Sequence, residues 1–169
     1  DLHRANIGER YWYVKLDSIP DSCEYKSKIK KWIDKLVEFM NAGTGIHLYG
    51  EHGSGKTAAS NILLKCCIAS GFSGLYSTAN ELRHGISDKV KFDDFEDYSE
   101  RVRNVDLLVL DDTNVDNALS KQIISDVLKA RNNKKKATIF ISNGDRESVR
   151  AFLGEDIWNS LRESTIPTE

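Results

Sequence analysis

Residues 48 to 60 read LYGEHGSGKTAAS, with three glycines, a lysine and a threonine set between an apolar run and a helix-like run. From Gly50 to Thr57 the stretch matches G-x-x-x-x-G-K-[ST], the pattern of loops that cradle nucleotide phosphates. Gly53 and Gly55 admit positive φ, so successive backbone N–H groups can turn inward around a phosphate oxygen. The helix that follows, expected from about Gly55 to Ser70, aims its partly positive amino terminus at the same anion. In this pattern Lys56, read as a solvent-facing cation, reaches the β- and γ-phosphates, and the Thr57 hydroxyl meets Mg²⁺. The candidate binding set is therefore Gly50, Glu51, His52, Gly53, Ser54, Gly55, Lys56, Thr57 and Ala58, with ATP or ADP and Mg²⁺ as the expected ligands. A glycine-rich turn before an ordinary helix is the plain alternative. The flanks argue against it, because GIHLY (45 to 49) reads as a buried strand and TAASNILLKCCIAS as a helix with apolar spacing.

A phosphate loop alone does not say what becomes of the phosphate. VDLLVLDD (105 to 112) is an apolar strand ending in two acids, which places carboxylates at the carboxyl edge of a parallel sheet, where the loop also opens. Asp111 is read as holding Mg²⁺ through water and Asp112 as polarising an attacking water. Between Lys56 and Asp111 there is room for a helix, a strand and a second helix, so the acid strand is third in chain order and need not lie beside the loop strand. TIFISN (138 to 143) is the candidate for the place between them. It ends in Asn143, whose amide offers a donor and an acceptor to a lytic water or a γ-phosphate, although an asparagine before Gly144 also suits a simple turn. The expected catalytic set is Lys56, Asp111, Asp112 and Asn143, and the expected metal pair is Thr57 with Asp111.

Working outward, Ile29, Trp32, Ile33, Leu36, Val37 and Met40 recur at helical spacing, which predicts one helix from about Ser22 to Met40 with lysines on its other side. Charged helical sequence is expected over residues 80 to 103, a helix over about 117 to 132, and two short helices between Arg146 and Ser164. Strands with near-continuous apolar character alternating with helices indicate an α/β fold, a parallel sheet of about five strands covered on both faces. The 169 residues suit one domain with a real core, and 30% charged residues suit a globular chain. A net charge of −2 gives no global signature of nucleic-acid binding. No apolar run is long enough to span a bilayer, so no membrane partner is expected. Cys23, Cys66 and Cys67 fit no zinc spacing, which suits a reducing cytoplasm; one of the adjacent pair is expected in the core and the other partly exposed.

The set GEHGSGKT, LLVLDD and IFISN, with the opening RANIGERYWYVKLDSI and the tail FLGEDIWNSLRES, resembles the AAA+ ATPase domain of DnaC/DnaI-type replicative-helicase loaders, and is similar to IstB-type transposition ATPases. The resemblance covers nearly the whole chain and implies a P-loop NTPase of AAA+ type. Walker A then falls on Gly50 to Thr57, Walker B on Asp111 and Asp112, and sensor 1 on Asn143. Residues 1–21 are expected to form an adenine-side segment, with Ile7, Gly8 and Tyr11 against the base, ahead of an α/β core over 22–169. The resemblance further implies ATP hydrolysis, slow without a partner, and a replicative DNA helicase and single-stranded DNA as partners, and it allows self-assembly into a ring or spiral. The family usually carries Asp-Glu at Walker B, where this chain has the shorter Asp112. An Asp-Arg pair common in loaders falls on Asn159 and Ser160, leaving either Arg162, two residues on, as the trans-acting arginine or none in this chain. The chain opens on Asp1 and stops at Glu169, where a fifth strand would begin; it is expected to be a fragment lacking an amino-terminal helicase-binding module.

Two other classes fit a phosphate loop. A small-molecule P-loop kinase needs lid arginines near the phosphates, and Arg101 with Arg103 is the available pair. A nucleotide-gated binding switch with little hydrolysis fits the short Asp112. For DNA contact, the candidate patches are Lys129, Arg131, Lys134, Lys135 and Lys136, and the early-helix lysines Lys26, Lys28, Lys30, Lys31 and Lys35, although a solvated helix face is the commoner explanation of either.

Overall fold

The computed structural model describes residues 2–21, 25–87 and 94–166; Asp1, Ser22, Cys23 and Glu169, named above, and residues 88–93 of the helical stretch expected over 80 to 103 lie outside them. Four parallel strands, β1 (Ile46–Gly50), β2 (Gly74–Thr78), β3 (Leu107–Asp111) and β4 (Ala137–Asn143), form a sheet in the order β1-β4-β3-β2. The strand TIFISN does lie between the loop strand and the acid strand. Eight α-helices are described: α1 (Tyr25–Asp34), α2 (Leu36–Ala42), α3 (Lys56–Ala69), α4 (Ala79–Ser87), α5 (Asp94–Asn104), α6 (Ala118–Asn133), α7 (Arg146–Leu153) and α8 (Glu155–Ser164).

Every residue of β3 is buried, and its side chains alternate between two cores, as strand geometry requires. Leu107 and Val109 join Ile46, Leu48, Ile139 and Ile141 under α1, α2 and α3. Leu108 and Leu110 join Leu75 and Phe140 under α4 to α8. A strand buried on both faces has no polar face, which is why these segments read as continuous apolar runs.

The described sheet has four strands where about five are expected. Thr165 makes a single parallel bridge to Gly45, with Ile166 N donating to Gly45 O at 3.1 Å, so pairing at the outer side of β1 amounts to one bridge among the described residues. The single early helix is two, because Lys35 leaves helical geometry (φ −114°, ψ 22°) between α1 and α2. Ile29 and Trp32 from α1 and Leu36 and Met40 from α2 all enter the core, while Val37 is 57% exposed. Of the adjacent cysteines, Cys67 is buried and Cys66 half-buried, and burial pushes the Cys67 thiol up to about 12. Among the described residues no helix is long and apolar enough to cross a membrane.

Candidate functional site

β1 delivers the chain to the carboxyl edge of the sheet, and residues 51–55 turn there into α3. Gly53 and Gly55 adopt φ of +77° and +88°, and a Cβ placed on either would meet nothing within 4 Å. These two positions carry the loop's left-handed turns and face open space, which is the cradle a phosphate needs. Lys56 is not the solvent-facing cation expected from its loop position: it is 5% exposed. Its Nζ donates to Gly50 O at 2.9 Å, Glu51 O at 2.7 Å and Ser54 Oγ at 3.2 Å, because the loop's carbonyls converge on its ammonium. Burial lowers its pKa, with the nearby Asp111 charge acting in the opposite sense.

β3 ends at the same edge. Thr57 Oγ1 donates to Asp111 Oδ2 at 2.8 Å, joining the first turn of α3 to the acid strand. Asp111 Oδ1 accepts the Asp112 N–H at 2.7 Å. Asp112 itself is exposed and sits at φ +50°, a left-handed conformation that aspartate tolerates better than most residues. Partial burial of its carboxyl, then the Asp111 charge, raises its pKa. A cleft of about 240 Å³ gathers Tyr11, His52, Gly53, Lys56, Thr57, Ala58, Asp111, Asp112 and Asn143. Hydroxyl and carboxylate oxygens side by side are the hard donor set that Mg²⁺ takes.

Three residues outside the sequence motifs help to build this cleft. Asn114 brackets Asn143, accepting from its N–H at 2.7 Å and donating to its carbonyl at 2.9 Å. Thr113 Oγ1 donates to Ile141 O at 2.5 Å, tying the loop after β3 to β4. Tyr76, in β2, donates from its hydroxyl to Asp111 Oδ2 at 2.8 Å. No local pattern marks them, because each acts across strands whose adjacency depends on the sheet order.

A second cavity, about 670 Å³, flanks the loop and is lined by Ile19, Pro20, Tyr25, Tyr49, Gly50, Gly55, Ala58 and Arg146 among others. The expected base contacts are only partly near the loop. Tyr11 lines the phosphate cleft, but Ile7 is 4% exposed, its carbonyl taken by Trp12 Nε1 at 2.9 Å. The start of the segment pairs with β2 instead, through Tyr76 N–H to Ala5 O at 2.8 Å.

The remaining expectations resolve by burial and partner. Arg131 is fully buried and leaves the proposed basic patch: its guanidinium bonds Thr138 Oγ1 and the carbonyls of Val102, Val105, Asp106 and Ala137. Lys129 pairs with Asp156 at 3.7 Å and Lys136 with Asp106 at 2.7 Å, while Lys134 donates to Asn104 Oδ1 at 2.7 Å. Lys26 pairs with Asp21 at 2.6 Å. Arg101 and Arg103 lie in the last turn of α5, just before β3 starts, so they sit at the end of that strand opposite Asp111 and cannot close over the phosphate loop as a kinase lid would. Ser160 is buried and Asn159 and Arg162 are exposed on α8.

No protein-family profile matches this chain. Two curated proteins described as replicative helicase loader DnaC, from Buchnera aphidicola of Acyrthosiphon pisum and of Baizongia pistaciae, are 24% and 28% identical to it, each across 95% of this chain and 68% of its own length. The crystal structure of the DnaC helicase loader superposes with a TM-score of 0.79 at 24% identity, covering 94% of this chain and 97% of that one. A DnaI structure gives 0.77 at 18% identity, covering 95% and 89%, and the initiator DnaA bound to AMPPCP and single-stranded DNA gives 0.74 at 16%, covering 96% and 51%. The chain shares the fold of these loader and initiator structures, and its similarity to DnaC loaders holds both in sequence and in three dimensions.

Proposed function

We propose that this chain binds ATP with Mg²⁺ at the loop of residues 50 to 58, hydrolyses it slowly, and serves as the ATPase domain of a replicative-helicase loader acting on single-stranded DNA in the cytoplasm. The observation that carries the nucleotide reading is the Thr57–Asp111 hydrogen bond, which brings the two motifs together at the open face of the glycine cradle. The loader role is supported by the similarity to proteins of that description along nearly the whole chain.

Each side chain has a distinct task in this reading. The loop N–H groups and Lys56 bind the phosphates, which requires the Lys56 ammonium to exchange its loop oxygens for phosphate oxygens. Thr57 and Asp111 hold the metal, which when bound neutralises charge developing on the phosphates. Asp112 accepts a proton from the attacking water, and Asn143, fixed by Asn114, orients that water. The base rests in the 670 Å³ cavity against Ile19, Pro20 and Tyr49 rather than against Ile7 and Gly8, because that cavity adjoins the loop and is largely apolar. Arg162, exposed on α8, is the arginine available to a neighbouring copy in a ring or spiral.

A nucleotide-gated switch with little turnover is the second reading, favoured by Asp112 alone. Its carboxylate falls about 1.5 Å short of a glutamate's, and misplacement of about 1 Å can cost on the order of 100-fold in rate. Phosphate release measured with single-stranded DNA, with a replicative helicase and with candidate nucleosides separates the classes. Stimulation by DNA or helicase supports the loader reading, stimulation by a nucleoside overturns it, and tight ATP binding without release favours the switch.

A further inference from the structure

Tyr76 belongs to no nucleotide-binding motif, yet it touches the centre of the site. The β2–β3 register pairs Tyr76 with Val109 and Thr78 with Asp111, so Tyr76 and Asp111 lie on the same sheet face, two positions apart across neighbouring strands. The length of a tyrosine spans that diagonal and brings its hydroxyl to Asp111 Oδ2 at 2.8 Å. Thr57 Oγ1 donates to the same oxygen at 2.8 Å, and the Asp112 N–H donates to Oδ1 at 2.7 Å. Asp111 is 5% exposed, so little water competes for these bonds.

We propose that Tyr76 is a positioning residue for the metal shell, its hydroxyl fixing the Asp111 carboxylate so that Asp111 and Thr57 present their oxygens to Mg²⁺ in the geometry that Mg²⁺-ATP requires. The proposal rests on the nucleotide reading above. Mg²⁺ demands near-ideal octahedral geometry, so the orientation of a carboxylate that holds it through water decides affinity. Residues that orient metal ligands are worth about 10- to 100-fold in metal affinity or activity when removed. Ring and hydroxyl have separable tasks: the ring packs against the core under α3, and the hydroxyl meets Asp111.

Tyr76→Phe keeps the ring and removes the donor. In the full chain, ATP binding is titrated in EDTA and across a Mg²⁺ series, with thermal unfolding measured alongside. The expected result is unchanged ATP affinity in EDTA, a half-saturating Mg²⁺ concentration raised about tenfold, and turnover that is low at limiting Mg²⁺ and recovers at high Mg²⁺. A variant that melts earlier yet keeps the wild-type half-saturating Mg²⁺ would overturn the proposal, since the hydroxyl would then serve stability alone. So would a loss of ATP affinity equal in EDTA and in Mg²⁺. Failure of the underlying reading looks different: wild type and Lys56→Ala would bind ATP equally weakly, with no response to Mg²⁺ in either.

Discussion

His47 faces the second core from β1, with Tyr49, Phe140 and Trp158 around its ring and its Nε2 2.7 Å from Ser142 Oγ. Burial, and secondarily the positive charge of Arg146, pushes its pKa from 6.5 down to about 4. In the unfolded chain the imidazole takes a proton as pH falls through 6.5, whereas the folded protein resists until about 4. Between those values the unfolded state binds more protons, so acidification favours unfolding. The stabilisation is therefore complete above pH 6.5 and is lost as pH falls toward 4. Each pH unit in that window is worth about 1.36 kcal/mol, giving roughly 2 kcal/mol lost by pH 5 and about 3 kcal/mol by pH 4. Other groups titrate in the same range, so the assay compares wild type with His47→Gln, which keeps a hydrogen-bonding amide near Ser142 and removes the titration. Urea unfolding at a series of pH values from 7.5 to 4.5 should show wild type losing about 2 kcal/mol more than the variant by pH 5. Parallel stability curves for the two proteins would refute the reasoning, because His47 would then titrate alike in folded and unfolded chains. Arg146→Ala should narrow the gap without closing it, since burial is the larger cause.

Arg131→Met should cost roughly 3–5 kcal/mol in urea unfolding, because it strips a buried hydroxyl and four carbonyls of their donor, and Arg131→Lys should rescue little, since three donors on one nitrogen cannot serve five acceptors. Lys56→Ala should abolish ATP binding in a titration and, because it also removes the donor to Gly50, Glu51 and Ser54, lower the melting temperature by about 2–4 °C for roughly 1 kcal/mol. Asp112→Asn should retain ATP affinity and lose most single-turnover hydrolysis at saturating ATP and Mg²⁺; hydrolysis as fast as wild type would remove Asp112 from the catalytic role. Asp112→Glu should keep or raise the rate if the left-handed backbone at φ +50° survives the longer side chain, which circular dichroism and melting of the variant report.

Local chemistry was legible in the chain wherever a residue acts on its own neighbourhood. The glycine pattern from Gly50 to Thr57 marks the cradle because positive φ and converging N–H groups are properties of consecutive residues. Strand positions followed from continuous apolar runs, and the placing of β4 between β1 and β3 followed from counting the elements between Lys56 and Asp111. Side-chain environment was not legible in the same way. Lys129, Arg131 and Lys136 are one basic run in sequence, yet in the fold Arg131 satisfies a buried nest of carbonyls while Lys129 and Lys136 pair with acids. Val37 shares the helical spacing of its neighbours but is exposed, because it sits at the edge of the stripe that Leu36 and Met40 bury. The adenine-side segment is placed by the family resemblance alone, and its opening residues pair with the far edge of the sheet at β2. Tyr76 and Asn114 carry no signal in sequence because each works across a pairing of strands. Backbone conformation and apolar periodicity are short-range and are written in consecutive residues, but burial, charge pairing and contact across β2, β3 and β4 exist only once the sheet has brought distant segments within hydrogen-bonding distance.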